Sequence, residues 1–225
     1  MTAFFNRARV ALNLFLVAAL AVSLAYSVSI KDGHADVPVA DSADEIQPLK
    51  VGDAAPYFSV RDVNGDAVEF DPAALERPAV LITFRGGWCP YCNLHLSELR
   101  HVLPELDENG IDVLFLSGDR PEQLVASLRP ETQTDVEDLD YTLLSDAEAT
   151  AAIALGIAFR TRTTGLKLRA IGRDIKDSSL DKHGVLPVPA VFAIGTDGKI
   201  AFAYANPDYK ERLSADELRE VANKL

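Results

Sequence analysis

The chain has 225 residues, 48% hydrophobic and 25% charged, which allows one or two globular domains with a sizeable core. The formal charge is −12, and because residues 1–30 hold Arg7 and Arg9 with no acid, the remainder carries 20 basic against 34 acidic residues, a net of −14. Such a surface repels phosphate backbones, which excludes nucleic acid as a partner, and it disfavours flat docking on anionic lipid.

Val10 to Ile30 is a run of 21 residues without a charge. As a helix it would reach about 31 Å, close to the ~30 Å of a bilayer's hydrocarbon and longer than the core of a typical cleaved signal. We read residues 1–30 as a signal peptide or transmembrane anchor, with an uncleaved anchor favoured over cleavage after Ala25. Arginines before the run and none just after it place the rest of the chain outside the cytoplasm, on the periplasmic side if the cell is bacterial. Residues 31–48, with Asp32, Asp36, Asp41, Asp44 and Glu45 and few large apolar side chains, read as a flexible acidic tether.

Folding is expected to begin at Leu49, so that 49–225 form the domain. Asn64-Gly65 between two alternating runs predicts a β-hairpin. Pro78 to Phe84 (PAVLITF) and Ile111 to Ser117 (IDVLFLS) read as strands buried on both faces. Between them, Leu94, Leu96, Leu99, Val102, Leu103 and Leu106 recur at nearly helical spacing until Asn109-Gly110 stops the helix. A helix over Asp119–Leu128, then a strand at Tyr141–Leu144 and a helix over Asp146–Leu155, continue a βαβ pattern with a parallel sheet. Arg160 to Asp181 concentrates basic residues without a clean period and reads as a loop or short-helix excursion. Val185 to Ile194 leads through Asp197-Gly198 into Lys199–Tyr204 as an antiparallel hairpin, and Ser214 with Glu217 marks a capping box at the start of a last helix.

The only two cysteines, Cys89 and Cys92, stand between the first buried strand and its helix. A pair spaced i, i+3 closes too short a loop to staple a fold, which leaves redox or metal chemistry. Pro90 can open a helix without wasting a donor, so Cys89 lies at the helix N-terminus and Cys92 in the first turn, where free backbone N–H groups favour a negative sulfur. Arg85 can add positive charge, Trp88 can shield one side of the pair, and His95 shares a helix face with Cys92, where it can act as base or counter-charge.

Three stretches together carry a family resemblance: VGDAAPYFSVRDVNGDAV, FRGGWCPYCNLHLSEL and LPVPAVFAIGTDGKIAFAYANPDYKER. They resemble the AhpC/TSA family, the peroxiredoxin-like branch of the thioredoxin-fold superfamily, over most of 49–225. The resemblance implies an α/β thioredoxin-like fold, a central mixed sheet flanked by helices, here preceded by an N-terminal hydrophobic helix. It also implies that Pro189 is a cis-proline facing the active site. Where these relatives keep a threonine three residues before the peroxidatic cysteine, this chain has Cys89, and the peroxidatic position falls on Cys92. None of Arg160, Arg162, Arg169 and Arg173 matches the family's catalytic arginine, and Thr83 stands where thioredoxins bury an acid.

The first expectation is therefore a thiol-dependent peroxidase without a cofactor: Cys92 attacks a hydroperoxide, Cys89 resolves the sulfenic acid to a redox disulfide, and an external thioredoxin-like dithiol resets it. The alternative is a thiol-disulfide oxidoreductase in which Cys89 attacks a protein disulfide. A lesser one is a Sco-like copper carrier with His183 joining the two cysteines as ligands. A zinc site from Cys89, Cys92, His95 and His101 ranks lower, since a continuing helix points His101 away.

Overall fold

The structure is a computed structural model that describes residues 38–136 and 142–225. The uncharged run of 10–30, and with it the N-terminal hydrophobic helix, lies outside the described residues, as does the first part of the acidic segment. Among the described residues no helix is long and apolar enough to cross a membrane.

A seven-stranded mixed sheet has the order β2-β1-β5-β4-β3-β8-β9. Its strands are β1 (Phe58–Arg61), β2 (Ala67–Phe70), β3 (Ala79–Phe84), β4 (Asp112–Ser117), β5 (Thr142–Ser145), β8 (Ala190–Ile194) and β9 (Ile200–Ala205). The central trio β3, β4 and β5 is parallel, and antiparallel strands flank it on both sides. All six residues of β3 are buried, as its unbroken apolar run demands of a strand covered on both faces. Two apolar clusters form the core, and Trp88 packs against both. A small second sheet pairs β6 (Ala158–Arg160) with β7 (Val185–Pro187), so the run from Val185 to Ile194 is two strands broken at Val188-Pro189.

The β1–β2 hairpin forms as the Asn64-Gly65 turn dictates, with Asp62 accepting from the amides of Asn64 and Asp66. The helix after the cysteines is shorter than its apolar spacing suggested. It breaks into α1 (Pro90–Leu99) and α2 (Leu103–Glu108), because Pro104 brings no N–H and its ring collides with the carbonyl of Arg100 in a continuous helix. The segment 119–128 is a 3-10 turn at Pro121–Gln123 followed by further turns; the α-helix there is α3 (Pro130–Val136), one proline later. Three more helices follow, α4 (Thr150–Ala154), α5 (Thr163–Ala170) and α6 (Ser179–His183), the last two forming the basic excursion. The closing helix α7 (Ala215–Ala222) carries the capping box of Ser214 and Glu217.

Of the acidic segment 31–48, expected as a tether, the described part is docked on the domain. Ala40 bridges to β6, donating to Ala158 O and accepting from Arg160 N, and Gln47 N donates to Gly156 O. Val39, Ala43 and Ile46 pack on the core, so the folded domain has begun by residue 38 rather than 49. Small apolar residues spaced three and four apart suffice because the exposed edge of β6 supplies the backbone partners that an acidic segment alone lacks.

Candidate active site

Both cysteines sit where strand β3 hands over to helix α1. Cys89 is the N-cap residue of α1, with extended backbone, and Pro90 occupies the first helical position. Cys92 N and Asn93 N donate to the Cys89 carbonyl. The turn that delivers Cys89 is built from glycines. Gly86 has φ +145°, and a Cβ there would lie 2.5 Å from Trp88 Nε1 and 2.6 Å from Asp119 Oδ1. A Cβ on Gly87 would lie 2.1 Å from Ser127 Oγ. No side chain fits at either position.

Two buried polar residues hold this turn. Asp119, just beyond β4, accepts from Gly87 N and Ser127 Oγ, each at 2.8 Å. Burial pushes its carboxyl up to about 6, against the pull of those two donors. Asn93 donates to Gly87 O at 2.7 Å and Cys89 O at 3.0 Å, and accepts from Arg129 N at 2.7 Å. Opposite, Thr83 Oγ1 donates to Val188 O and accepts from Ala190 N, both at 3.0 Å. A hydroxyl thus performs here a linking task that needs both a donor and an acceptor, which an ionised acid could not fill.

The thiols themselves are nearly inaccessible, Cys89 at 2% and Cys92 at 0% exposure, and both are reduced. They share a proton unequally. The Cys92 thiol donates to Cys89, and together with the Cys92 amide and the charges of Arg212 and Arg85 this brings Cys89 down to about 6, against its burial. Cys92 is pushed well above the ordinary thiol range, chiefly by complete burial. Burial thus favours the proton on Cys92 and negative charge on Cys89. Cys92 nevertheless has Arg212 Nη2 at 3.4 Å, a donor able to stabilise negative charge on that sulfur.

Arg212 also donates to Tyr209 O at 3.1 Å. Arg85, buried at the end of β3, lies 4.5 Å over the Tyr209 ring and 5.5 Å over that of Phe159. Tyr209 in turn meets Tyr91 of α1 edge-on at 5.5 Å. The segment 206–212 therefore brings the Arg212 guanidinium to Cys92 and the Tyr209 ring to Arg85.

Of the residues expected at the site, Cys89, Cys92, Arg85 and Trp88 come together. His95 does not act on the sulfurs. Its Nε2–H donates to Leu213 O at 2.9 Å, and burial and then Arg212 push its pKa down to about 4, so at neutral pH it is an uncharged anchor for the start of the α7 approach. Pro189 is buried at the head of β8, at the same sheet end as Cys89, but its peptide bond is trans: no cis peptide occurs among the described residues. Its carbonyl accepts from Asn206 N, a bond that fastens the start of the segment 206–212.

His183, the third ligand of the copper alternative, pairs with Glu148 at 3.0 Å. Arg212, Asn93, Asp119 and Tyr209 escaped the sequence reading. Arg212 is 120 positions from Cys92 in the chain, in a stretch with no helical or strand period to aim it.

The comparisons with known proteins agree with this geometry. The sequence model of the AhpC/TSA family matches residues 51–203. Peroxiredoxin Bcp of Escherichia coli is 33% identical over 112 residues, covering 50% of this chain and 67% of that protein. The thiol-disulfide oxidoreductase ResA of Bacillus thuringiensis is 24% identical over 167 residues, 74% of this chain and 76% of the relative. Among solved structures, the peroxiredoxin 6 of Arenicola marina superposes with TM-score 0.60 at 19% identity, covering 78% of this chain and 72% of that one. Peroxidoxin BcpB of Mycobacterium tuberculosis gives 0.53 at 19% identity, covering 78% and 96%. With the sheet order, the cysteine-bearing helix and a family match spanning two thirds of its length, this chain belongs to the AhpC/TSA family.

Proposed function

We propose that the protein is a two-cysteine thiol peroxidase that reduces hydroperoxides through the Cys89/Cys92 pair. The observation that carries this reading is a pair of thiols sealed from bulk solvent with a guanidinium 3.4 Å from one sulfur: with 2% and 0% exposure, the thiols admit a small oxidant far more readily than a protein disulfide. The Cys89 thiolate attacks the outer oxygen of ROOH, the O–O bond breaks, and ROH leaves with the proton that Cys92 had held. Cys92, now the thiolate and facing Arg212, attacks the sulfur of the Cys89 sulfenic acid; the S–O bond breaks, and the hydroxide takes a proton from solvent to leave as water. In net terms one thiolate, one thiol, ROOH and a solvent proton give a disulfide, ROH and H2O. An external thioredoxin-like dithiol then restores the pair. This assigns the attack to Cys89 and the resolution to Cys92, the reverse of what the alignment of motifs suggested, because complete burial holds the proton on Cys92.

Stopped-flow mixing of reduced protein with hydrogen peroxide tests the reading: consumption no faster than by free cysteine would sink it. The second reading, thiol-disulfide exchange with proteins, is favoured by the similarity to ResA and by the exposed Tyr91 and Leu94 on the helix that carries the cysteines. Reduction of insulin by the same preparation measures it.

For the location, we infer an extracytoplasmic domain held by Val10–Ile30 at the membrane, which rests on that run's length and on Arg7 and Arg9 before it. A reporter fused after Leu225 that is active only outside the cytoplasm tests it.

A further inference from the structure

The two guanidiniums beside the thiols are short of acceptors. The Nε of Arg85 and both Nε and Nη1 of Arg212 are buried without a hydrogen-bond partner, and no ion pair of the described residues includes either side chain. Arg85 is more than nine-tenths buried and rests on two aromatic faces, while its positive charge and that of Arg212 disfavour each other. Buried donors of this kind normally find an acceptor, and unpaired ones cost about 1–3 kcal/mol each. A neutral peroxide would satisfy part of the set and leave the charge unbalanced. A planar oxyanion would satisfy both, since guanidinium and carboxylate match in a two-bond fork.

We propose that Arg85 and Arg212 form an oxyanion subsite next to Cys89, and that the preferred oxidants are peroxy acids, whose departing half is a carboxylate that this subsite holds. The substrate assignment rests on the peroxidase reading. The step balances as Cys89–S⁻ plus R–C(O)–O–OH giving Cys89–S–OH plus R–C(O)–O⁻: the S–O bond forms, the O–O bond breaks, the sulfur loses two electrons, and the carboxylate leaves with the pair. Arg212 also serves Cys92, whereas no hydrogen bond or ion pair of the Arg85 side chain occurs among the described residues. Arg85 is therefore the specificity-determining residue.

Two measurements test this. In stopped-flow oxidation, the ratio of the rate with peracetic acid to that with hydrogen peroxide should exceed the same ratio for free cysteine by about tenfold. In Arg85→Gln it should fall back to the free-cysteine ratio, with Arg85→Lys between the two because lysine keeps the charge and loses the fork. A wild-type ratio equal to that of free cysteine, or an unchanged ratio in Arg85→Gln, overturns the assignment of substrate. Independently of any peroxide, sodium acetate replacing sodium chloride at constant ionic strength should slow alkylation of Cys89 by iodoacetamide in the wild type and not in Arg85→Gln. Absence of acetate protection in the wild type removes the subsite without help from any variant. Failure of the parent reading looks different: neither oxidant outruns free cysteine, while acetate protection persists.

Discussion

Arg212 Nη2 lies 3.4 Å from the sulfur of Cys92, a residue 120 positions earlier in the chain. The charge reaches both sulfurs, lowering Cys89 and offsetting part of the burial of Cys92. In Arg212→Gln the Cys89 thiolate should form at higher pH, by about one unit, because an opposite charge within a few ångströms is worth one to three. Thiolate absorbance near 240 nm, followed through a pH titration, checks this; an unmoved midpoint refutes it.

The assignment of the resting thiolate predicts the order of alkylation. At neutral pH iodoacetamide should modify Cys89 before Cys92, with a rate that rises through a midpoint of about 6. Mass mapping of partially alkylated protein reads this directly. Cys92→Ser should still undergo one oxidation by peroxide, halting at a sulfenic acid on Cys89 that dimedone traps, whereas Cys89→Ser should lose rapid oxidation. The opposite pattern would return the attack to Cys92.

His95 predicts an acid-side loss of stability. Its pKa in the fold is about 4, below the ordinary 6.5, so between those values the unfolded chain binds the extra proton. This contribution is complete above pH 6.5 and is lost as pH falls toward 4, amounting to roughly 3 kcal/mol at most. Asp119 and Asp146, both raised by burial to about 6, act with the opposite sign, their protonated forms favouring the fold as pH falls toward 3.8. Urea unfolding of wild type and His95→Gln at pH 4.5 and 7 isolates the histidine: the difference between the two proteins should narrow at the lower pH.

Asn93 predicts a cost without a charge. Its side chain makes three hydrogen bonds to the backbone of Gly87, Cys89 and Arg129, all at 3.0 Å or less. Asn93→Ala strands the Gly87 carbonyl and the Arg129 amide, while Cys89 O keeps the amides of residues 92 and 93, at about 1–3 kcal/mol for each stranded group that water cannot reach. The denaturant midpoint should drop, and the Cys89 alkylation rate should change with it, because the same bonds shape the turn that carries the thiolate. A lowered midpoint with an unchanged rate would confine Asn93 to stability.

Features that depend on neighbours in the chain are legible from the residues alone. The buried run of β3, the Asn64-Gly65 hairpin, the capping box of Ser214 and Glu217, and the position of the cysteines at a helix N-terminus all follow from local periodicity and backbone chemistry. Proline chemistry is equally local and overrides the apolar period: Pro104 divides the helix after the cysteines and Pro130 opens α3. Only the tertiary structure decided which side chains meet. Docking of 38–48 needed the edge of β6; the recruitment of Arg212, Tyr209 and Asp119 needed segments that share no pattern with Cys89. The choice of nucleophile depended on burial as well, because the difference between the two sulfurs is one of desolvation and distant charge, and neither quantity exists until the chain has folded over them.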